Sequence, residues 1–101
     1  ARRAQDIVEA VLGEAQASRA RVVLIDVTGL RRVDELAASL LLRVTRALRL
    51  LGSQAILTGM RPDVAQTLVS MGADLSGVLT RANLQSGIAY ASELVRSLAR
   101  R

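Results

Sequence analysis

The chain of 101 residues contains no cysteine and no histidine, and all 14 of its basic residues are arginine. Without histidine or cysteine it cannot build the usual zinc sites, or a Ser-His-Asp or Cys-His nucleophile system. Without lysine it lacks a P-loop lysine, a Schiff-base amine and the lysine on which receiver-type phosphotransfer domains depend. Carboxylates, hydroxyls and guanidinium groups remain, so we expect a protein that is not an enzyme and holds no cofactor or metal.

Aromatic residues and long apolar runs are equally scarce. Tyr90 is the only aromatic residue, although half of the sequence is apolar, so the core must consist of leucine, valine, isoleucine and alanine. No apolar run approaches the roughly 18 residues that a membrane-spanning helix needs, and no segment resembles a secretory signal. We therefore expect a cytoplasmic protein that does not contact a membrane.

The formal net charge of +5 raises the question of nucleic-acid binding. The arginines, however, are scattered along the whole sequence. Single-stranded nucleic acids are bound largely by stacking on aromatic side chains, which are missing here. A solvated, arginine-rich surface explains the charge more simply, so we expect no nucleic-acid partner.

Apolar periodicity predicts helices and strands that alternate within one domain spanning residues 1–101. The helices are predicted at 4–17, 34–51, 62–71 and 83–98, and the strands at 21–27, 54–58 and 78–80. The first strand contains an unbroken apolar run from Val22 to Ile25, which is typical of a strand covered on both faces. This alternation predicts an α/β fold with a small, mostly parallel sheet. Because three strands make a narrow sheet and none precedes the first helix, we also expect missing upstream strands or a partner at the edge.

The apolar stripes of the helices predict which side chains are buried. On the second helix Leu42 falls outside the stripe, beside Ala38, and is either an incidental exposed leucine or a partner contact. On the last helix Tyr90 also falls outside the stripe. The residues predicted to face the core are Leu36, Ala37, Leu40, Leu41, Val44, Ala47, Leu48 and Leu51 on the second helix, Val64, Ala65, Leu68 and Val69 on the third, and Leu84, Ile88, Ala91, Val95 and Leu98 on the last.

Candidate functional residues lie where the first two strands end. Thr28-Gly29 and Thr58-Gly59 leave the carboxyl ends of parallel strands, the edge at which open α/β sheets bind ligands and partners. The first loop leads to Asp34 and Glu35 at the start of the second helix, where unpaired N–H groups and the helix dipole favour negative charge. Alternatively, both glycines serve only as turn residues. Arg61, beside the same edge, pairs either with a structural carboxylate such as Asp34 or with a partner.

Three sequence blocks resemble the STAS family, the sulfate-transporter and anti-sigma-factor-antagonist domains. The blocks are Asp26-Val-Thr-Gly-Leu30, Thr58-Gly-Met-Arg-Pro-Asp-Val-Ala-Gln-Thr67 and Met71-Gly-Ala-Asp-Leu75. The resemblance covers essentially the whole chain and is strongest to stressosome scaffold proteins of the RsbR type. The family fold opens with one or two strands before the first helix. The resemblance therefore implies a STAS-like fold whose N-terminal strands are missing, in the C-terminal part of a longer protein.

The resemblance also implies regulation by binding. STAS domains of this kind bind a serine/threonine switch kinase and sister STAS proteins, as homodimers or larger stressosome assemblies, and so regulate an alternative sigma factor. The kinase phosphorylates a serine or threonine that follows an aspartate at the start of the second helix. The matching aspartate is Asp34, and the phosphoacceptor position falls on Glu35.

Glu35 departs from the family pattern. A carboxylate does not form a stable phosphoester, but it places permanent negative charge at the helix start. Three interpretations follow. The domain is fixed in a phosphorylated-like state, it signals through another hydroxyl such as that of Thr67 or Thr28, or Glu35 is merely a favourable residue for a first helical turn.

We expect the partner-binding surface to combine the ends of the strands with the start of the second helix. Its residues are Thr28, Gly29, Asp34, Glu35, Leu42, Thr58, Gly59 and Arg61. Two other functions remain open. One is binding of a nucleotide or small anion at the helix N-termini, or regulation of an anion transporter, although Glu35 would repel an anion. The other is a small-molecule enzyme of unknown chemistry.

Overall fold

The computed structural model describes residues 2–30, 35–72 and 77–100. Helices and strands alternate through these ranges, and each bound lies within two residues of the predicted one, which confirms the α/β pattern. The elements are α1 (Arg2–Ala17), β1 (Val22–Asp26), α2 (Glu35–Leu50), β2 (Gln54–Thr58), α3 (Pro62–Ser70), β3 (Leu79–Arg81) and α4 (Leu84–Ala99). No helix in the described ranges is long and apolar enough to span a membrane.

The three strands form one parallel sheet, as predicted, and the structure places them in the order β1-β2-β3. The central strand is β2, whose Ile56 is paired with Leu24 of β1 and Leu79 of β3. Ile56 is fully buried, whereas the side chains from Val22 to Ile25 are only half-buried. The expected covering of β1 on both faces is therefore incomplete.

One face of the sheet is covered by α1 and α2, which pack against each other. Their shared core contains the buried residues Val8, Ala15, Val44, Leu48 and Ala55. Alternate residues of a strand point to opposite faces, so Leu24 and Thr58 point away from this core. They lie beneath α4, which contacts all three strands. The sheet is thus enclosed between two helical layers.

A second, smaller core lies between α2 and α3. It is formed by Ala38, Val64 and Leu68. Because α2 packs against α1 on one side and α3 on another, Ala38 is only 2% exposed, and the prediction that it projects outward is wrong. Burial was also wrongly predicted for Leu36, Leu51 and Val69, which are exposed. All three lie near a helix end or just beyond it, where less of the fold covers them.

The orientation of α4 differs from the prediction. The predicted inward residues Leu84, Ile88 and Val95 are 38%, 49% and 44% exposed, whereas Gly87 is buried and Tyr90 half-buried. A Cβ at position 87 would overlap the methyl group of Thr58. The missing side chain therefore lets α4 approach the sheet through Gly87, which sets the rotation of the helix. A prediction based on apolar side chains does not assign burial to glycine and therefore does not identify this contact.

Candidate functional site

Asp26, the last residue of β1, is the centre of a hydrogen-bond network at the end of the sheet where the strands finish. Its Oδ1 accepts hydrogen bonds from Thr28 Oγ1 at 2.7 Å and from Thr58 Oγ1 at 3.1 Å. The sheet register places Asp26 directly beside Thr58. One carboxylate therefore joins β1, its exit loop and β2. We call Asp26, Thr28 and Thr58 the strand-exit network, and this end of the sheet the strand-exit end.

The network keeps the carboxylate of Asp26 ionised. The hydrogen bond from the Thr28 side chain is the main cause that lowers the pKa of Asp26, and bonds from Thr58 and from the Thr28 backbone act in the same direction. Desolvation by burial opposes them but is outweighed. Hydrogen bonds to the charged form favour that form. A fixed negative charge therefore lies at the strand-exit end.

Gly59 closes the network from the β2 side. Its φ of 73° lies in the left-handed region, and a Cβ there would overlap the hydroxyl of Thr28 and crowd Asp26. Both the backbone conformation and the close approach require glycine. The Gly59 N–H donates to the Arg81 carbonyl at 3.2 Å. The turn interpretation of Gly59 is therefore sound, and its backbone also ties the network to β3.

Thr58 does not lie on the surface. It is 0% exposed, so the expectation that it contacts a partner is wrong. Its hydroxyl bonds Asp26 and its methyl group packs beneath Gly87. Thr58 therefore acts on the surface only through Asp26. This role of Asp26 was not predicted, although the Asp-x-Thr spacing of residues 26–28 is typical of side-chain turns and indicates it.

The negatively charged start of α2 is only partly described. Glu35 is the first residue of the helix, but its side chain and the whole of Asp34 lie outside the described part of the chain. Leu36, the next residue, is 59% exposed. The charge at this helix tip and its relation to Arg61 remain predictions.

The remaining candidates make local contacts, and Thr28, Gly29 and Arg61 lie at the strand-exit end, whereas Thr67 lies further along α3. Thr28 and Gly29 are exposed. Arg61 forms a 3.3 Å ion pair with Asp63, and both side chains are more than half exposed. Thr67 is half-buried, and its hydroxyl donates to the Asp63 carbonyl at 3.0 Å. Arg61 therefore has a carboxylate partner within its own loop and helix.

Leu42 does not belong to this site. It is half-buried, and it lines a small cavity together with Gln54, the first residue of β2. The cavity therefore lies near the opposite end of the sheet. The expectation that Leu42 projects outward is wrong because the residue is half-buried, and α2 places it more than a turn away from the start of the helix.

The charge of the strand-exit network disfavours one kind of ligand. Across the described ranges, no group of three or more aspartate or glutamate side chains is placed to hold a metal ion. The central group is a carboxylate whose pKa is lowered, and such a group repels nucleotides and other small anions. The exposed loops around it are better suited to a protein partner.

Comparison with known proteins identifies the family. The STAS domain family model matches residues 1–87. The chain belongs to the STAS family. It is 44% identical over 92 residues to the RsbT co-antagonist protein RsbRA of Bacillus subtilis, covering 91% of this chain and 34% of that protein. It is 36% identical over 87 residues to RsbRD of the same organism, covering 86% of this chain and 31% of that protein. This STAS chain thus spans about a third of these relatives' lengths.

Solved structures confirm the STAS-like fold. A serine-to-glutamate variant of Moorella thermoacetica RsbS is 35% identical, with a TM-score of 0.82 over 94% of this chain and 81% of that one. A chain from a structure of the stressosome, described as a signal integration and transduction hub, is 34% identical, with a TM-score of 0.83 over 92% of this chain and 81% of that one. The predicted resemblance to RsbR-type scaffold proteins is confirmed.

Proposed function

We propose that this STAS domain is a non-enzymatic, cytoplasmic scaffold that binds a serine/threonine switch kinase and sister STAS proteins in a stressosome-type assembly, and so regulates an alternative sigma factor. The observation that carries the proposal is the similarity, over 91% of the chain, to a protein named for co-antagonism of RsbT. The likeness to RsbS and to a stressosome chain supports the assembly role.

The strand-exit end provides the docking surface. Thr28, Gly29, Leu36 and Arg61 are exposed there, around a loop whose base is held by the Asp26 carboxylate. A residue that is held in place before binding loses less conformational entropy when a partner docks. Asp26 and Thr58 therefore favour binding by positioning Thr28.

Glu35 supplies fixed negative charge at the start of α2 in this proposal, and a second hydroxyl provides any phosphorylation-dependent step. Thr67 is the better candidate because, among the described residues, its hydroxyl bonds only a carbonyl of its own helix. The Thr28 hydroxyl is held by Asp26 and lies against Gly59. A phosphate there would meet both the glycine backbone and a like charge.

We also propose that the domain is the C-terminal part of a longer protein. Within the described residues no strand pairs with the outer edge of β1, and an apolar cavity of about 390 Å³ lies between that edge and α1, lined in part by Val11, Ala15 and Val22. Because α1 packs beside α2, a right-handed crossover would place a strand preceding α1 parallel to β1 at this edge.

Binding assays with purified partners test the proposal. We expect the chain to bind an RsbT-type switch kinase in calorimetry and to form a larger species with a sister STAS protein in gel filtration. Leu36→Ser should weaken kinase binding about tenfold, whereas Leu50→Ser should not. Leu50 is the matched control because it is 88% exposed at the other end of α2. A wild-type chain that binds neither partner would refute the proposal.

The role of Glu35 is tested by comparing the wild-type chain with two variants at this position. Glu35→Gln removes the charge and keeps the shape, and Glu35→Ser restores a hydroxyl at the phosphoacceptor position. If the charge mimics phosphorylation, both variants should change kinase affinity in the same direction, and only the serine variant should respond to incubation with kinase and ATP. Equal affinities for all three chains would leave Glu35 as an ordinary first-turn residue.

A further inference from the structure

Gly87, on the inward face of α4, lies directly above Thr58 of the strand-exit network. Gly87 is buried, and a Cβ at this position would overlap the methyl group of Thr58. The next nearest group is Cδ2 of Leu24, which would lie 3.3 Å away and ends a flexible side chain. The missing side chain at position 87 therefore makes room for the Thr58 methyl group in particular.

The methyl and hydroxyl groups of Thr58 branch from the same carbon atom, so the position of one determines the position of the other. With the methyl group beneath Gly87, the hydroxyl donates to Asp26 Oδ1 at 3.1 Å. β-Branched side chains occupy few χ1 rotamers, and Thr58 is 0% exposed. A rotation that moved the methyl group out from under α4 would therefore also carry the hydroxyl away from Asp26.

The start of α4 is fixed on both sides of Gly87. Before it, the Asn83 side chain accepts a hydrogen bond from the Ser86 N–H at 2.8 Å, and the Asn83 N–H donates to the Ser86 hydroxyl at 3.3 Å. After it, the ring of Tyr90 lies 3.8 Å from the guanidinium carbon of Arg81, a residue of β3. These contacts set where α4 begins and hold it against the sheet. A side chain added at position 87 should therefore displace the group beneath it more readily than the helix.

We propose that Gly87 is a positioning residue for the docking surface. By letting α4 lie on the Thr58 methyl group, it keeps the Thr58 hydroxyl on Asp26. Asp26 in turn accepts the hydrogen bond from Thr28 at the surface. The effect of Gly87 on docking rests on the proposed function, whereas its effect on the strand-exit network does not. In this way α4 acts on the docking surface through a residue that is itself buried.

A double-mutant cycle between positions 87 and 58 tests the proposal. Gly87→Ala adds the Cβ, and Thr58→Ser removes the methyl group but keeps the hydroxyl. We expect Gly87→Ala to raise the pKa of Asp26, because the hydrogen bond from Thr58 helps to lower that pKa. The pKa, measured from the carboxyl chemical shift, should return towards its wild-type value in the double variant, where the added Cβ meets no methyl group.

Gly13 provides the matched control. It is an exposed residue within α1, and a Cβ there would meet no atom within 4 Å. Because alanine favours a helix more than glycine does, Gly13→Ala should raise the thermal midpoint of unfolding by about 4 °C. It should leave the pKa of Asp26 unchanged. Gly87→Ala brings the same gain in helix propensity, so a lower thermal midpoint in that variant reports the contact with Thr58.

Kinase binding measures the consequence for docking. The dissociation constant for an RsbT-type kinase should rise about fivefold in Gly87→Ala, as expected when one hydrogen bond that positions the surface is lost. It should recover in the double variant and stay at the wild-type value in Gly13→Ala.

Two results would overturn the effect on the network. One is an unchanged Asp26 pKa in Gly87→Ala, and the other is a raised pKa that Thr58→Ser does not reverse. In either case Gly87 would act in packing alone. If Gly87→Ala does not fold, a cooperative unfolding transition restored in the double variant supports the inference, and a transition that is not restored overturns it.

The outcomes also separate this inference from the function on which it rests. Equal kinase affinity in all variants, with a wild-type chain that binds the kinase, would overturn the effect of Gly87 on docking and leave the proposed function intact. A wild-type chain that binds no kinase would overturn the kinase part of the proposed function. The pKa measurements would then still decide whether Gly87 positions the strand-exit network.

Discussion

Two buried hydroxyl groups at opposite ends of β2 show how the two ends of the sheet differ. Ser53, just before β2, donates to the backbone carbonyl of Ala20 at 2.6 Å, whereas Thr58, the last residue of β2, donates to the carboxylate of Asp26 at 3.1 Å. Each hydroxyl needs a partner because it is buried. The first partner is backbone and adds no charge. The second is a charged side chain that also accepts a hydrogen bond from Thr28, so this buried hydroxyl helps to fix a negative charge beside the proposed docking surface.

The largest difference in stability between the two ends of the sheet is expected when two glycines with left-handed backbone are replaced by alanine. Gly59 at the strand-exit end and Gly52 at the opposite end have φ of 73° and 86°. A Cβ at position 52 meets no atom within 4 Å, whereas one at position 59 overlaps the Thr28 hydroxyl. We expect Gly52→Ala to lower the free energy of unfolding by about 1 kcal/mol through backbone strain alone, and Gly59→Ala by about 3 kcal/mol.

Urea unfolding of the two variants measures the difference. Equal losses of stability would show that Thr28 and its loop move aside without cost, and the network would then not be a rigid support. A much larger loss for Gly59→Ala, accompanied by weaker kinase binding, would show that the close approach of Gly59 organises the docking surface.

The two buried hydroxyls themselves provide the next comparison. Thr58→Val keeps the shape but removes the donor to Asp26, and Ser53→Ala removes the donor to the Ala20 carbonyl. Each should lower the free energy of unfolding by about 1 kcal/mol. Only Thr58→Val should also weaken kinase binding, because only Thr58 positions a residue at the strand-exit end. Equal binding by both variants would contradict the positioning role.

These contrasts also explain which features the sequence revealed. Element order, bounds and the parallel sheet were predictable because Val44 and Leu48 repeat at helical spacing and the run from Val22 to Ile25 is unbroken. The rotation of α4 was not, because it depends on one close contact between Gly87 and Thr58 across the sheet. The position of Thr28 and Gly59 near the site was predictable. The burial of Thr58 was not predictable. It depends on the register of β2 and on the packing of α4 over the sheet, which a single sequence specifies only weakly.

The charge of Asp26 gives the strand-exit end a dependence on pH. Its pKa is lowered in the folded protein, below the unfolded value of about 3.9. The stabilisation is therefore fully present above the unfolded pKa and is lost as the pH falls through the folded pKa. Stability measured between about pH 5 and pH 2 should decline less steeply in Asp26→Asn than in the wild type.

Thr28 and Thr58 contribute unequally to the lowered pKa of Asp26, which allows a more specific prediction. The Thr28 side chain contributes most to the lowered pKa, and Thr58 contributes less. Thr28→Val should therefore flatten the acid decline in stability more than Thr58→Val does. The reverse order would mean that the bond across the strands, and not the bond within the loop, holds the carboxylate in its charged form.

The smallest effect on stability is expected at Arg61. Arg61–Asp63 and Arg96–Glu93 are both exposed ion pairs, with N–O distances of 3.3 Å and 3.7 Å. Exposed pairs contribute little, so Arg61→Ala and Arg96→Ala should each change the free energy of unfolding by less than about 0.5 kcal/mol. Their effects on binding should differ, because Arg61 lies at the strand-exit end and Arg96 on α4. If the two variants bind the kinase equally well, Arg61 is not part of the interface, and its position beside Gly59 reflects only the start of α3.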